Sequence, residues 1–170
     1  LKVIENGLAG RELRDIEDLQ TRDLYVRGIM QMNITLARAL VAELPPEAQA
    51  EARASAIAEI RTCLERAGGF FPKLDEEPYT VPTLLQLQLG EAKVRARLAL
   101  VEGDTFTAEK LYRRIYDASP ALDLEASSAL VSLYLRHGQE SEAARILTQL
   151  TQQYPSEPGP WLMIGQIHFA

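Results

Sequence analysis

Residues 101–120 read VEGDTFTAEKLYRRIYDASP, and residues 135–155 read LRHGQESEAARILTQLTQQYP. Gly103, Ala108, Tyr112 and Pro120 of the first stretch recur as Gly138, Ala143, Leu147 and Pro155 of the second, each pair 35 positions apart. Four matched positions at a single offset, three of them identical in residue type, mark an internal repeat. A unit this short cannot bury an apolar face by itself, so the copies are expected to stack on one another.

Working outward from the repeat, the apolar residues keep a helical period, and no strand-like alternation of useful length appears. TLLQLQLGEAKVRARLALVEG, residues 83–103, reads as a long helix ending at Gly103, and TFTAEKLYRRIYDA, residues 105–118, as a shorter one stopped near Pro120. LEASSALVSLYLRHG, residues 124–138, and ESEAARILTQLTQQY, residues 140–154, repeat the pair. PGPWLMIGQIHFA, residues 158–170, opens one more helix. Gly103 and Gly138 are expected to close their helices at positive φ, which costs little only for glycine. Ala108 and Ala143 are expected where two helices approach most closely, with Tyr112, Leu147 and Tyr134 filling the space between units.

The N-terminal half follows a looser pattern. GRELRDIEDLQ, residues 10–20, carries Leu13, Ile16 and Leu19 on one helical face. With Thr21 as N-cap, a second helix runs to Leu44, its buried side expected at Leu24, Ile29, Leu36 and Leu40. Pro45-Pro46 ends it and opens a third helix that closes at Gly68-Gly69, giving an antiparallel hairpin. GGFFPKLDEEPYTVP, residues 68–82, is too rich in proline for a regular helix and too apolar for an idle linker. It is expected to be an ordered loop whose Phe70, Phe71 and Tyr79 cap a helix end; the alternative is a loop that contacts a partner. The resulting division is residues 1–88, an atypical hairpin region, and residues 89–170, two complete repeats and a truncated third.

Composition narrows the classes of function. A chain of 170 residues, 46% hydrophobic and 25% charged, is ordinary for a globular protein with a sizeable core. A net charge of −6 argues against a phosphate-binding surface, which needs clustered Lys and Arg. No apolar run approaches the ~18 residues of a membrane span. Cys63 stands alone, His137 and His168 lack metal-ligand spacing, and no metal or cofactor is expected. The chain opens at Leu1 without a methionine or signal peptide and reads as a soluble piece of a longer protein, its compartment left open.

With the repeat laid out, residues 89–170 resemble the tetratricopeptide repeat, a helix–turn–helix unit of about 34 residues with a W-x₂-L-G-x₂-Y…A-x₃-F…P pattern. Leu130, Tyr134, Gly138, Ala143, Leu147 and Pro155 carry the resemblance in the second copy. The first copy is degenerate, with Ala96 at the glycine position and Ala99 at the tyrosine position. Trp161, Ile164 and Gly165 fit the opening of a third. The resemblance implies an all-α fold in which antiparallel helix pairs stack into a right-handed superhelical solenoid, and a non-catalytic scaffold that docks other proteins.

No chemistry competes with that reading. No phosphate cradle, activated nucleophile or carboxylate pair stands out. DIED at residues 15–18 and LDEEP at residues 74–78 read as solvated faces. NIT at residues 33–35 matches a glycosylation acceptor but falls inside a helix. In LYRRIY, residues 111–116, Tyr112 and Tyr116 share the core face while the arginines point outward.

In the tetratricopeptide family the first helices of successive units line a groove that receives a peptide. By register this sequence places Lys93, Arg97, Glu125, Ser128, Ser132 and Arg136 there. Lys93 fits the lysine of the family's carboxylate clamp, but Arg97 and Ala129 stand where asparagines would. Lys93, Arg97 and Arg136 are expected to form a basic strip that steers an acidic segment of a partner, and charge reversal there is expected to leave stability nearly unchanged. The degenerate repeats look similar to those of bacterial envelope assembly, exopolysaccharide export and pilus systems. Two other roles remain open: the regulatory arm of an enzyme whose catalytic domain lies elsewhere, and self-association through the last helix.

Overall fold

The computed structural model describes residues 19–47, 49–69, 82–119 and 123–168. Among these residues all regular structure is helical: α1 (Leu19–Ala42), α2 (Ala50–Gly68), α3 (Pro82–Val101), α4 (Thr105–Ala118), α5 (Leu124–Arg136), α6 (Glu140–Gln153) and α7 (Pro158–His168). The all-α class expected from the sequence holds. The described residues divide into two compact units, with the boundary between Leu87 and Gln88. The expected segment at residues 10–18 and the loop bearing Phe70, Phe71 and Tyr79 lie outside the described residues.

In the first unit α1 and α2 pack as a hairpin. Pro45 and Pro46 fall in the turn, where Gln49 N–H donates to the Pro46 carbonyl at 2.9 Å and Arg53 donates to the Pro45 carbonyl at 2.8 Å. Two details differ from expectation. Thr21 is not an N-cap, because α1 is already helical from Leu19; a threonine disfavours a helix by only a few tenths of a kcal/mol, too little to break one. The buried stripe is also shifted. Met30, Asn33, Ile34 and Ala37 are buried, whereas Ile29, Leu36 and Leu40 are half-buried. The stripe that wins contains Ala37, fully buried like Ala67 on α2, since small residues let helix axes approach and the bulkier leucines then fit at the flanks. Cys63 is buried with Ile60, Leu64 and Ala67, and burial pushes its thiol pKa up, so it packs as a small neutral residue. Asn33 is buried too, its amide donating to the Ile29 carbonyl at 2.9 Å, which rules out a glycan on the folded chain.

In the second unit the hydrogen bonds that close the first helix of each pair repeat with the sequence. At the end of α3, Asp104 N–H donates to the Ala99 carbonyl at 2.8 Å and Gly103 N–H to the Leu100 carbonyl at 3.2 Å. At the end of α5, Gln139 N–H donates to Tyr134 at 2.8 Å and Gly138 N–H to Leu135 at 3.2 Å. Each donor and acceptor sits 35 positions from its counterpart. This is the Schellman closure, and it requires a left-handed residue at the glycine position. Gly103 has φ 80° and Gly138 has φ 70°, the only positive φ values among the described residues.

One core runs through the unit. Ala96 and Ala99 of α3, Ala108, Tyr112 and Ile115 of α4, Ala126, Leu130, Leu133 and Tyr134 of α5, and Ala143, Ile146, Leu147 and Leu150 of α6 are all buried together. Ala108 and Ala143 have no accessible surface, as the close-contact role predicts, and Ala96 and Ala126 are equally buried. At ~25 cal/mol per Å² the tyrosines and leucines supply most of the apolar burial, and the alanines set how near the helices come. On the motif's tryptophan position in α5 stands Ser127, fully buried, with no hydrogen-bond partner for its Oγ.

Candidate functional site

The candidate site is the face shared by the first helices, α3 and α5. Asp123 starts α5: its Oδ1 accepts the Ala126 N–H at 2.9 Å, an ordinary aspartate N-cap. Its other oxygen, Oδ2, accepts from the Lys93 ammonium on α3. One turn further along α3, Arg97 pairs with Glu125 of α5 at 2.7 Å. Two rungs of opposite charge therefore join the two helices, set by the fourfold step between Lys93 and Arg97.

The rungs differ in exposure. The Lys93 and Asp123 side chains are 20% and 23% exposed, those of Arg97 and Glu125 38% and 42%. Arg97 is also anchored from below. Burial pushes the Tyr112 hydroxyl pKa up, Glu125 adds to the rise, and the nearby Arg97, hydrogen-bonded to that hydroxyl, pulls it back. Further along the face, Ser132 Oγ donates to the Ser128 carbonyl at 2.9 Å, leaving both serines half-buried, and Arg136 is exposed at the end of α5. Of the six residues named from register, Lys93 and Arg97 lie on α3 and Glu125, Ser128, Ser132 and Arg136 on α5, and four of the six side chains make hydrogen bonds or ion pairs.

Two consequences were not visible from register alone. Asp123 was missed, although an aspartate just ahead of an apolar helical run is a recognisable cap, and opposite charges on successive first helices are a pairing signal. The expected basic strip is also largely neutralised, because Lys93 and Arg97 each face a carboxylate. Charge reversal at these positions would set like charges against Asp123 and Glu125, so the expectation that reversal leaves stability untouched is corrected.

The second helices carry a separate polar seam. Arg113 of α4 hydrogen-bonds the Tyr134 hydroxyl and lies 5.4 Å from its ring centroid. His137 Nδ1 lies 3.1 Å from Glu109 Oε2, and Tyr116 donates to Gln149 of α6. Of LYRRIY, Tyr112 is buried, Tyr116 is half-buried and both arginines are exposed, in keeping with the core reading. On α7, Trp161 is 52% exposed and Leu162 68% exposed. Among the described residues there is no cluster of metal-ligating side chains, and no helix is long and apolar enough to cross a membrane.

Helix pairs with equivalent caps, equivalent close-contact alanines and one continuous core define a helical-hairpin repeat. Residues 99–167 match the family model of the tetratricopeptide repeat. The match starts inside α3, past Ala96, where the first copy departs from the motif. No curated protein and no solved structure matches the chain.

Proposed function

We propose that the second unit is a protein-docking module whose α3–α5 face receives an acidic segment of a partner. The general role, a protein–protein interaction module, follows from the repeat. The observation that carries the more specific reading is the arrangement of three cations, Lys93, Arg97 and Arg136, along one face of a chain whose net charge is −6. Against them stand two carboxylates, Asp123 and Glu125. Arg136 has no ion-pair partner among the described residues, so the face keeps a surplus of one positive charge. An acidic chain with a locally basic face repels anions in general and attracts them at that place.

The test is site-directed photo-cross-linking in an extract of the source organism. A cross-linker placed at Ser132 should capture a discrete protein, while one placed at Thr148 or Asp117 on the second helices should not. Equal capture from both faces would remove the reading.

A further inference from the structure

Three features lie outside the account so far: the exposed Trp161 and Leu162 on α7, the seam around Tyr134, and the unequal rungs of the α3–α5 ladder. The ladder reaches furthest. Resting on the docking role of this face, we infer that Glu125 is an internal competitor, a carboxylate that holds Arg97 until a carboxylate of the partner displaces it, whereas Lys93–Asp123 is a fixed strut.

The asymmetry between the rungs supports the division. Asp123 is committed twice, through Oδ1 to the α5 N-terminus and through Oδ2 to Lys93, so turning it away would uncap the helix as well as break the pair. Glu125 lies in the first turn of α5, two residues past Asp123, and makes no capping hydrogen bond. Its pair is about twice as exposed, and an exposed ion pair shifts an equilibrium by no more than about fivefold. The Tyr112 hydroxyl lies near Arg97 and is a second neighbour for the guanidinium when Glu125 turns away. A guanidinium has five N–H donors in a planar fork, suited to taking a new carboxylate in two parallel bonds. The partner's acid therefore meets a preorganised cation, and the step exchanges one carboxylate for another with no net change of buried charge. Neutralising Glu125 should tighten binding, the opposite of what losing an ordinary contact residue does.

The experiment titrates a fluorophore-labelled oligoglutamate peptide into the 170-residue chain at low ionic strength, where exposed charges are least screened. Wild type, Glu125→Gln, Arg97→Gln and Asp117→Asn are compared, with far-UV circular dichroism confirming that each is folded. Asp117 lies exposed on α4, away from the ladder, and controls for the change in total charge. The inference expects Glu125→Gln to bind about two- to fivefold more tightly than wild type, Arg97→Gln more weakly, and Asp117→Asn like wild type. If Arg97→Gln weakens binding but Glu125→Gln matches Asp117→Asn, the competitor role falls and the docking face stands. If the peptide binds neither wild type nor Glu125→Gln, or Arg97→Gln binds as wild type does, the docking reading itself falls and the competitor role with it.

Discussion

Ala143→Leu is the perturbation that presses hardest on the packing. Ala143 has no accessible surface, and Ile146, Leu147 and Leu150 on the same helix are exposed by 1% or less. If the site had room, a buried leucine would add roughly 2 kcal/mol of apolar burial. Ala143 belongs to the set of alanines that fix helix separation, so the extra carbons must instead push α6 off its neighbours or leave their rotamers. Overpacking of that kind costs about 1–3 kcal/mol. In a unit of this size each kcal/mol moves the melting temperature by roughly 4–8 °C, so a fall of at least about 4 °C is expected. The control is Ala144→Leu, one residue along, where the side chain is only half-buried and the helix-propensity change is the same. Melts followed by circular dichroism and by Trp161, the single tryptophan, separate the two. If Ala143→Leu melts like wild type, or Ala144→Leu is the more damaged, Ala143 is not a close-contact residue and the repeat packing described above is wrong.

Three further outcomes follow from single positions. Ser127→Ala removes a buried hydroxyl that has no partner, so stability should be unchanged or rise by up to about 1 kcal/mol in chemical denaturation, and a clear loss would mean the hydroxyl is bonded. Gly138→Ala meets no neighbouring atom, so backbone strain alone decides it; at φ 70° the expected cost is about 1–2 kcal/mol, and an unchanged midpoint would contradict the left-handed cap. The Asp104 carboxyl, whose Oδ1 accepts the Thr107 N–H at 3.0 Å, is held below its ordinary pKa of 3.8 by its hydrogen bonding to Thr107. A depressed folded pKa stabilises the fold above the unfolded value, and that contribution fades as the pH falls through the lower folded value. The stability gap between wild type and Asp104→Asn should therefore narrow below about pH 4, and a gap that is constant with pH would show that the charge of the cap is irrelevant.

Much of the second unit was legible because its constraints are local and written twice. A glycine that must adopt positive φ, an alanine at a close contact and a proline after a helix each act within a few residues, and the offset of 35 positions aligns them. The first unit lacks that duplication. Its buried stripe slid from Leu36 and Leu40 to Met30, Ile34 and Ala37 because two apolar faces were available on α1, and packing against α2 chose between them. On the candidate face, register assigned residues to α3 and α5 but did not show their pairing. Lys93 and Arg97 looked like free cations, and the carboxylates that meet them come from Asp123 and Glu125, about 30 residues downstream, brought near only by stacking.

The central claim is that the α3–α5 face is where a partner docks. It is tested most directly by mapping backbone amide shifts of the isotope-labelled chain as an acidic peptide is added. The account predicts perturbations concentrated at Arg97, Glu125, Ser128, Ser132 and Arg136. Shifts that fall instead on the second helices, around Arg113, Arg114 and Arg145, would contradict it.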